Sequence, residues 1–258
     1  MNIIERMKAF SIYFATPTID GKVGVHYLKN MLYTQKLLNK NGIHSDVSLV
    51  QRDVYVQRAR NELAADFLES GYTHLFFIDA DMGWEPKKII KMLARDKDVL
   101  FGAYIHKSKN GKYVHQVEKN GSEKLITHDG LVKCVSGPTG LMCIKRNVFE
   151  TMISEHPEMM YFDATGKKQY DFFSCSVKNI NGTPLWFGED IDFCQKWRDM
   201  DGEIWCEPDI TVNHEGMNIW KCNYFEDLKK VNSSNNSWAS QKESENVLAR
   251  MKKKAIQY

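Results

Sequence analysis

The chain has 258 residues, 43% of them apolar and 26% charged, and its 35 Lys and Arg against 33 Asp and Glu leave a formal charge of +2. That balance suits one substantial core with appendages and excludes nucleic-acid binding driven by net charge alone, so any basic partner surface must be local. No apolar run approaches the roughly 18 to 20 residues of a membrane helix, which predicts a soluble, cytoplasmic protein.

Phe10, Ile12 and Phe14 alternate in FSIYFATPT, predicting a first strand over 10–15. After the turn TPTIDGKVG, a helix is expected over 27–41, with Leu28, Met31, Leu32, Leu37 and Leu38 as its apolar face and Gly42 as its stop. A short strand with Val47 and Leu49 leads into RARNELAADFLESG, where Ala59, Leu63, Phe67 and Leu68 mark one helical face before Gly71. A strand over 74–79 follows. Pro86 then opens a helix with Ile89, Ile90 and Leu93 as its stripe, and DVLFGAY (98–104) is the next strand. Repeated β-α-β units imply a largely parallel, doubly wound sheet.

Residues 105–133 change character. Asn110-Gly111 and Asn120-Gly121 are hairpin-turn signals between short alternating segments, so an antiparallel insertion is expected. It carries Lys107, Lys109, Lys112, Lys119, Lys124 and Lys133 against Glu118, Glu123 and Asp129, six minus three, a local +3. With Lys229, Lys230 and the lysines of 252–254, this stretch is either a surface for an anionic polymer or a solvated face. Next come a strand at 141–144, a helix from Arg146, and a helix carrying Ile191, Cys194 and Trp197 that should stop at Gly202. Beyond 225 the chain turns polar; 231–240, with Trp238, is a lid or a tail. The six cysteines form no CxxC pair and are expected as reduced, mostly buried thiols.

Three constellations carry chemistry. In LFFIDADMGW (75–84) four apolar residues run into Asp79 and Asp81, as if a buried strand ended at a sheet edge where open α/β sheets bind ligands. Side chains two apart on an extended segment point the same way, so both could face one Mg2+ or Mn2+ ion. A solvated acidic loop is the competing reading. In WFGEDIDF, Glu189, Asp190 and Asp192 crowd a helix start, more acids than N-terminal capping explains. His214, in NHEG after a strand, can turn its imidazole toward a metal from a loop.

In this order, ATPT, RARNELA, FFIDADM, SGPTG, WFGEDIDFCQKWRDMDG and NHEG resemble the GT-A class of nucleotide-sugar glycosyltransferases over about residues 9–220, in particular family 2-like and phage-type members. The WFGEDIDFCQKW segment also looks like its counterpart in polypeptide GalNAc-transferases. The resemblance implies a GT-A, Rossmann-like α/β domain over 1–224, a mostly parallel sheet flanked by helices, with a C-terminal appendage over 225–258. It implies that Thr16, Pro17 and Thr18 line the nucleoside pocket, that Arg58, Arg60 and Asn61 lie near the base or diphosphate, and that Asp79, Asp81 and His214 hold Mn2+ or Mg2+. Gly137, Thr139, Gly140 and Trp186 would border the acceptor, and Asp190, or else Glu189, would be the catalytic carboxylate. The implied donor is a UDP- or GDP-sugar. The acceptor is a saccharide, lipid or protein hydroxyl, or, by the phage-type resemblance, the hydroxymethyl group of a modified pyrimidine in DNA. A haloacid-dehalogenase-like phosphatase and a non-catalytic sugar-binding module are the alternatives.

Overall fold

The computed structural model describes residues 5, 7–51, 53–108, 111–121 and 125–234. Lys109, Asn110, Glu123, Lys124, Trp238 and the lysines of 252–254 lie outside the described residues.

In chain order the elements are β1 (Ser11–Thr18), α1 (Val25–Lys40), β2 (His44–Gln51), α2 (Val56–Ser70), β3 (His74–Ile78), β4 (Met82–Trp84), α3 (Pro86–Ala94) and β5 (Val99–Gly102). The insertion contributes β6 (Gln116–Val117) and β7 (Thr127–His128) before β8 (Leu131–Ser136), β9 (Leu141–Lys145) and α4 (Arg146–Glu155). Two hairpin ribbons follow, β10 (Met160–Phe162) with β11 (Lys168–Tyr170), and β12 (Ser176–Ile180) with β13 (Thr183–Phe187). The chain then forms α5 (Glu189–Asp199), β14 (Ile204–Glu207), β15 (Thr211–Glu215), β16 (Ile219–Asn223) and α6 (Tyr224–Ser234). Residues 231–234 of the expected lid are therefore the end of α6, and 235–240 lie outside the described residues.

The central sheet runs β2-β1-β3-β9-β5-β14-β8-β6, with β7 also on β8. It is an α/β sheet, but mixed where a largely parallel one is expected. β1 pairs parallel with β2 and β3, and β5 with β14, while β9 wedges antiparallel between β3 and β5. β8 is likewise antiparallel to β14, so β8 and β9 run together against the direction shared by β1, β3, β5 and β14.

Both sheet faces are covered at the centre, which is why β3, β5 and β9 are almost wholly apolar. On β1 and β3 the period of two sorts side chains between faces. Tyr13, Ala15, Leu75 and Phe77 pack with Leu63 and Phe67 of α2, Phe149 of α4 and Phe193 of α5. Ile12, Phe14, Phe76 and Ile78 pack with Met31 of α1 and Ile89 of α3. On α1 the buried face is Tyr27, Met31, Thr34 and Leu38, and the expected Leu28 and Leu32 are more than half exposed. Tyr27 and Thr34 can be buried because each has a partner: Tyr27 Oη bonds Thr16 Oγ1 at 2.6 Å, and the Trp84 indole donates to Thr34 Oγ1 at 3.0 Å. Five of the six cysteines are buried and all are free, while Cys175 is exposed.

A second, small sheet positions the site. β4, the MGW after the acidic triplet, pairs antiparallel with β15, which pairs with β16. The register sets Met82 opposite His214 and Gly83 opposite Asn213. The histidine expected in a loop thus sits on a strand, next to the acidic turn.

Candidate functional site

β3 ends at Ile78, and the chain turns at 79–82, closed by Met82 N–H donating to the Asp79 carbonyl at 3.0 Å. The turn is pinned on three sides. Asp79 N–H donates to the Gly140 carbonyl (3.1 Å), Gly24 N–H to that of Ala80 (2.7 Å) and Glu215 N–H to that of Asp81 (2.8 Å). Backbone polar groups are thereby satisfied while both carboxylates are left to face the cleft. Because the strand has already ended, its alternation does not carry through the triplet, and Asp79 and Asp81 take different partners.

Asp79 belongs to an ion-pair cluster. Its Oδ1 accepts from Arg60 Nη2 at 2.9 Å, and Arg60 Nε lies 3.5 Å from Glu189 Oε1. Arg60 is only 3% exposed, sits over the Phe77 ring and leaves its buried Nη1 without a hydrogen bond. A buried guanidinium needs paired anions to offset its desolvation, and the two acids supply them. Gly140 completes this wall: its N–H donates to Tyr104 Oη at 3.2 Å, and a Cβ there would overlap that hydroxyl and stand 3.0 Å from Asp79 Oδ2. Burial, then the Asp79 charge, push the Tyr104 phenol well above its usual range, so it stays neutral.

Asp81 faces the other way. Its Oδ2 is bound by the Lys107 ammonium, and its Oδ1 is buried without a hydrogen-bond partner, 3.9 Å from His214 Nε2. His214 Nδ1 is 2.9 Å from the Ile105 carbonyl, which can only accept, so Nδ1 carries a proton and Nε2 is the ring nitrogen turned toward Asp81. The Tyr104 ring, edge-on at 5.0 Å, holds the imidazole in place. An orphaned carboxylate oxygen beside an oriented imidazole nitrogen fits a divalent cation, whose remaining positions Mg2+ or Mn2+ usually fill with water and substrate phosphates. Among the described residues no three His, Cys, Asp or Glu side chains are grouped closely enough to hold an ion, and Asp79 Oδ1 is turned to Arg60.

At the start of α5, Gly188 occupies the N-cap position without a side-chain cap, and Glu189, Asp190 and Asp192 stand in the first turn. Asp192 is buried and anchors β12, accepting from Ser174 (2.8 Å) and Ser176 (2.6 Å) with Lys178 and Lys196 at 3.1 and 3.0 Å. Asp190 is half-buried, with Oδ1 accepting from Ile191 N–H at 2.8 Å. Burial, reinforced by the Glu189 charge, lifts its carboxyl to about 6 against the partial opposition of Ile191 N–H and Arg60. Trp186, 69% exposed on β13, lies against Gly188 beside Asp190.

Other expected residues land elsewhere. The Thr16 and Thr18 hydroxyls turn inward, to Tyr27 and to the Val50 carbonyl (2.9 Å), leaving Pro17 and the Thr18 surface on the cleft. Arg58 pairs with Asp53 through two bonds of 2.7 and 2.9 Å, on the side of the neighbouring depression. Asn61 is buried and brackets Phe173, donating to its carbonyl at 3.2 Å and accepting from its N–H at 2.9 Å. Gly137 abuts the Phe101 ring and receives the Cys194 thiol on its carbonyl, and Thr139 is buried. Tyr104 is missing from the sequence reading, and Lys107 figures there only among the lysines of the insertion, not as a partner of Asp81; FGAY at the end of a strand is the signal that could have found the tyrosine.

The cleft at the turn encloses about 490 Å³ between Pro17, Thr18, Lys22, Gly24, Asp53, Asp79 and Asp81. Its lining carries Asp20, Asp53, Asp79 and Asp81, with Lys22 as cation, itself 3.1 Å from Asp20. Four lysines of the expected basic surface have acidic partners: Lys107 is on Asp81, Lys133 lies 3.1 Å from Glu203, and Lys229 and Lys230 pair with Glu226 and Asp227.

No family model and no curated protein matches the chain. Among solved structures, one described as a glucose-1-phosphate thymidylyltransferase from Bacillus anthracis, in complex with sucrose, covers 55% of this chain and 74% of its own at 13% identity and a TM-score of 0.29. A likeness of that size carries no argument about chemistry. No described helix is long and apolar enough to cross a membrane.

Proposed function

We propose that the protein is a metal-dependent glycosyltransferase of GT-A type, moving a sugar from a nucleotide-sugar donor to an acceptor hydroxyl. The observation that carries this reading is the unpartnered, buried Asp81 Oδ1 facing His214 Nε2, beside the cleft that Asp79 and Asp81 line, with Asp79 tied through Arg60 to Glu189, the chain neighbour of Asp190. An acid-lined cleft repels a diphosphate unless a cation bridges them, which argues for a metal-assisted donor.

Bound by Asp81 and His214, Mn2+ or Mg2+ would supply Lewis-acid stabilisation of the charge that builds on the departing diphosphate. Arg60 fixes Asp79 and Glu189 so that the wall between the two acid groups does not collapse toward either. Asp190, with its carboxyl near 6, is ionised at neutral pH yet basic enough to accept the acceptor hydroxyl's proton. Trp186 offers an exposed aromatic face on the acceptor side. The narrower acceptor, a hydroxymethylated pyrimidine in phage DNA, has less support because Lys107, Lys133, Lys229 and Lys230, four of the lysines named for it, already carry acidic partners.

Nucleoside-diphosphate release from UDP- and GDP-sugars with Mn2+ tests the reading, using the native protein and Asp81→Asn, with saccharides or hydroxymethylated DNA as acceptor. Metal-dependent release, lost in Asp81→Asn, is expected. Phosphate release from simple monoesters without a donor would favour a phosphatase, and donor binding without turnover under every condition would favour a binding module.

A further inference from the structure

Asp81 has two oxygens, one orphaned toward His214 and one already held by the Lys107 ammonium. The lysine is placed there by its own segment. It lies two residues beyond Ile105, whose carbonyl orients His214, in a loop closed by the Ile105–Tyr113 bridge and by His106 N–H on the Lys112 carbonyl at 2.9 Å. Its stem runs over Gly216, where a Cβ would stand 3.2 Å from Lys107 Cδ. One stretch of chain thus supplies both the clamp on the imidazole and the cation on the carboxylate.

A divalent ion beside Asp81 Oδ1 would meet that ammonium a few ångströms away, and like charges repel at this range. Lys107 sits on a flexible four-carbon stem with about a third of its side chain exposed, so its head can leave without disturbing the fold. In an otherwise acid-lined cleft, the anion available to receive it is the donor's diphosphate.

We propose that Lys107 is the resting counter-cation of Asp81 and a diphosphate-binding residue: the entering divalent ion displaces its ammonium, which then pairs with phosphate oxygens of the nucleotide. This rests on the nucleotide-sugar reading above. Because the nucleotide takes up the displaced lysine, each ligand tightens the binding of the other, as linkage requires.

The test is Mn2+ binding followed by the paramagnetic resonance of free Mn2+, and UDP and GDP binding by calorimetry, in the native protein, Lys107→Met and Lys107→Arg. Lys107→Met is expected to bind Mn2+ alone about two- to fivefold more tightly, and UDP or GDP under saturating Mn2+ about two- to fivefold more weakly, the scale of one part-exposed charge pair. Lys107→Arg keeps both affinities near those of the native protein. Mn2+ binding no tighter, or nucleotide binding no weaker, in Lys107→Met overturns the role of Lys107 alone. A native protein that binds neither Mn2+ nor nucleotide overturns the functional reading and this inference with it.

Discussion

Asp190 is held at a cost, and removing its charge should show it. A carboxyl at about 6 in the folded protein against an ordinary 3.8 means that folding takes up protons between those values. Stability is therefore lost as pH rises through about 6, and the full cost is present at neutral pH. The gap of 2.2, at 1.36 kcal/mol per pH unit, is about 3 kcal/mol. Asp190→Asn keeps the side-chain oxygen that accepts from Ile191 N–H while removing the charge, so it should stabilise the protein at pH 7 by about 1 to 3 kcal/mol, the half-exposed geometry favouring the middle of that range. A gain of about 2 kcal/mol corresponds to roughly 4 to 8 °C in Tm for a chain of this size. The same substitution should lower kcat by about 10²- to 10⁴-fold, the usual worth of a general base, and the native kcat should fall with pH below about 6. Denaturant titrations of both proteins from pH 7 down to 3.5 check the linkage, because the difference should shrink to near zero at the acid end. A variant less stable than the native protein at pH 7, or a difference independent of pH, refutes the assignment of a strained, charged Asp190.

Two further substitutions separate structural from chemical roles. Asn61→Ala leaves the buried Phe173 N–H and carbonyl without partners and should cost about 2 to 4 kcal/mol in denaturant unfolding while sparing nucleotide affinity in the folded protein; selective loss of nucleotide binding at native stability would return Asn61 to the donor pocket. Gly140→Ala drives a methyl into Tyr104 and Asp79 and should cost about 1 to 3 kcal/mol together with most of the turnover, so unchanged melting and activity would mean that this wall is not close-packed.

The parts of the fold legible in the sequence are those set by local period. β1, β3 and α2 follow from alternation or from Ala59, Leu63 and Phe67, since burial on both sheet faces leaves few other ways to place those residues. The face of α1 was hidden because polar-tipped Tyr27 and Thr34 are buried through single hydrogen bonds to Thr16 and Trp84, which hydrophobic patterning does not register. The antiparallel entry of β9 was hidden because a buried strand reads alike in either direction. At the site, Asp79, Asp81, Asp190 and His214 were visible as residue types in suggestive places. The pairings were not, since Arg60 reaches Asp79 and Glu189, Lys107 reaches Asp81, and Tyr104 reaches His214 across the fold.

The pairing of β4 with β15 is what turns an acidic triplet and a distant histidine into one site, and Gly83 is where that claim can be tested without touching a ligand. The strands meet at Gly83 opposite Asn213, and a Cβ on Gly83 would stand 2.9 Å from His26 Cβ and 3.3 Å from Asn213 Cβ. Neither neighbour is the far end of a flexible chain, so Gly83→Ala must push β4 away from α1 or from β15, and the second movement separates Asp81 from His214. Gly202→Ala, which forces a methyl into the Trp197 ring at the far end of α5, is the control for overpacking as such. Both should lose about 1 to 3 kcal/mol of stability. Only Gly83→Ala should also weaken Mn2+ binding, because only there does the strain fall on the register that sets His214 beside Asp81. Equal Mn2+ affinities in the two variants would mean that the carboxylate and the imidazole are held in place by something other than this strand pair.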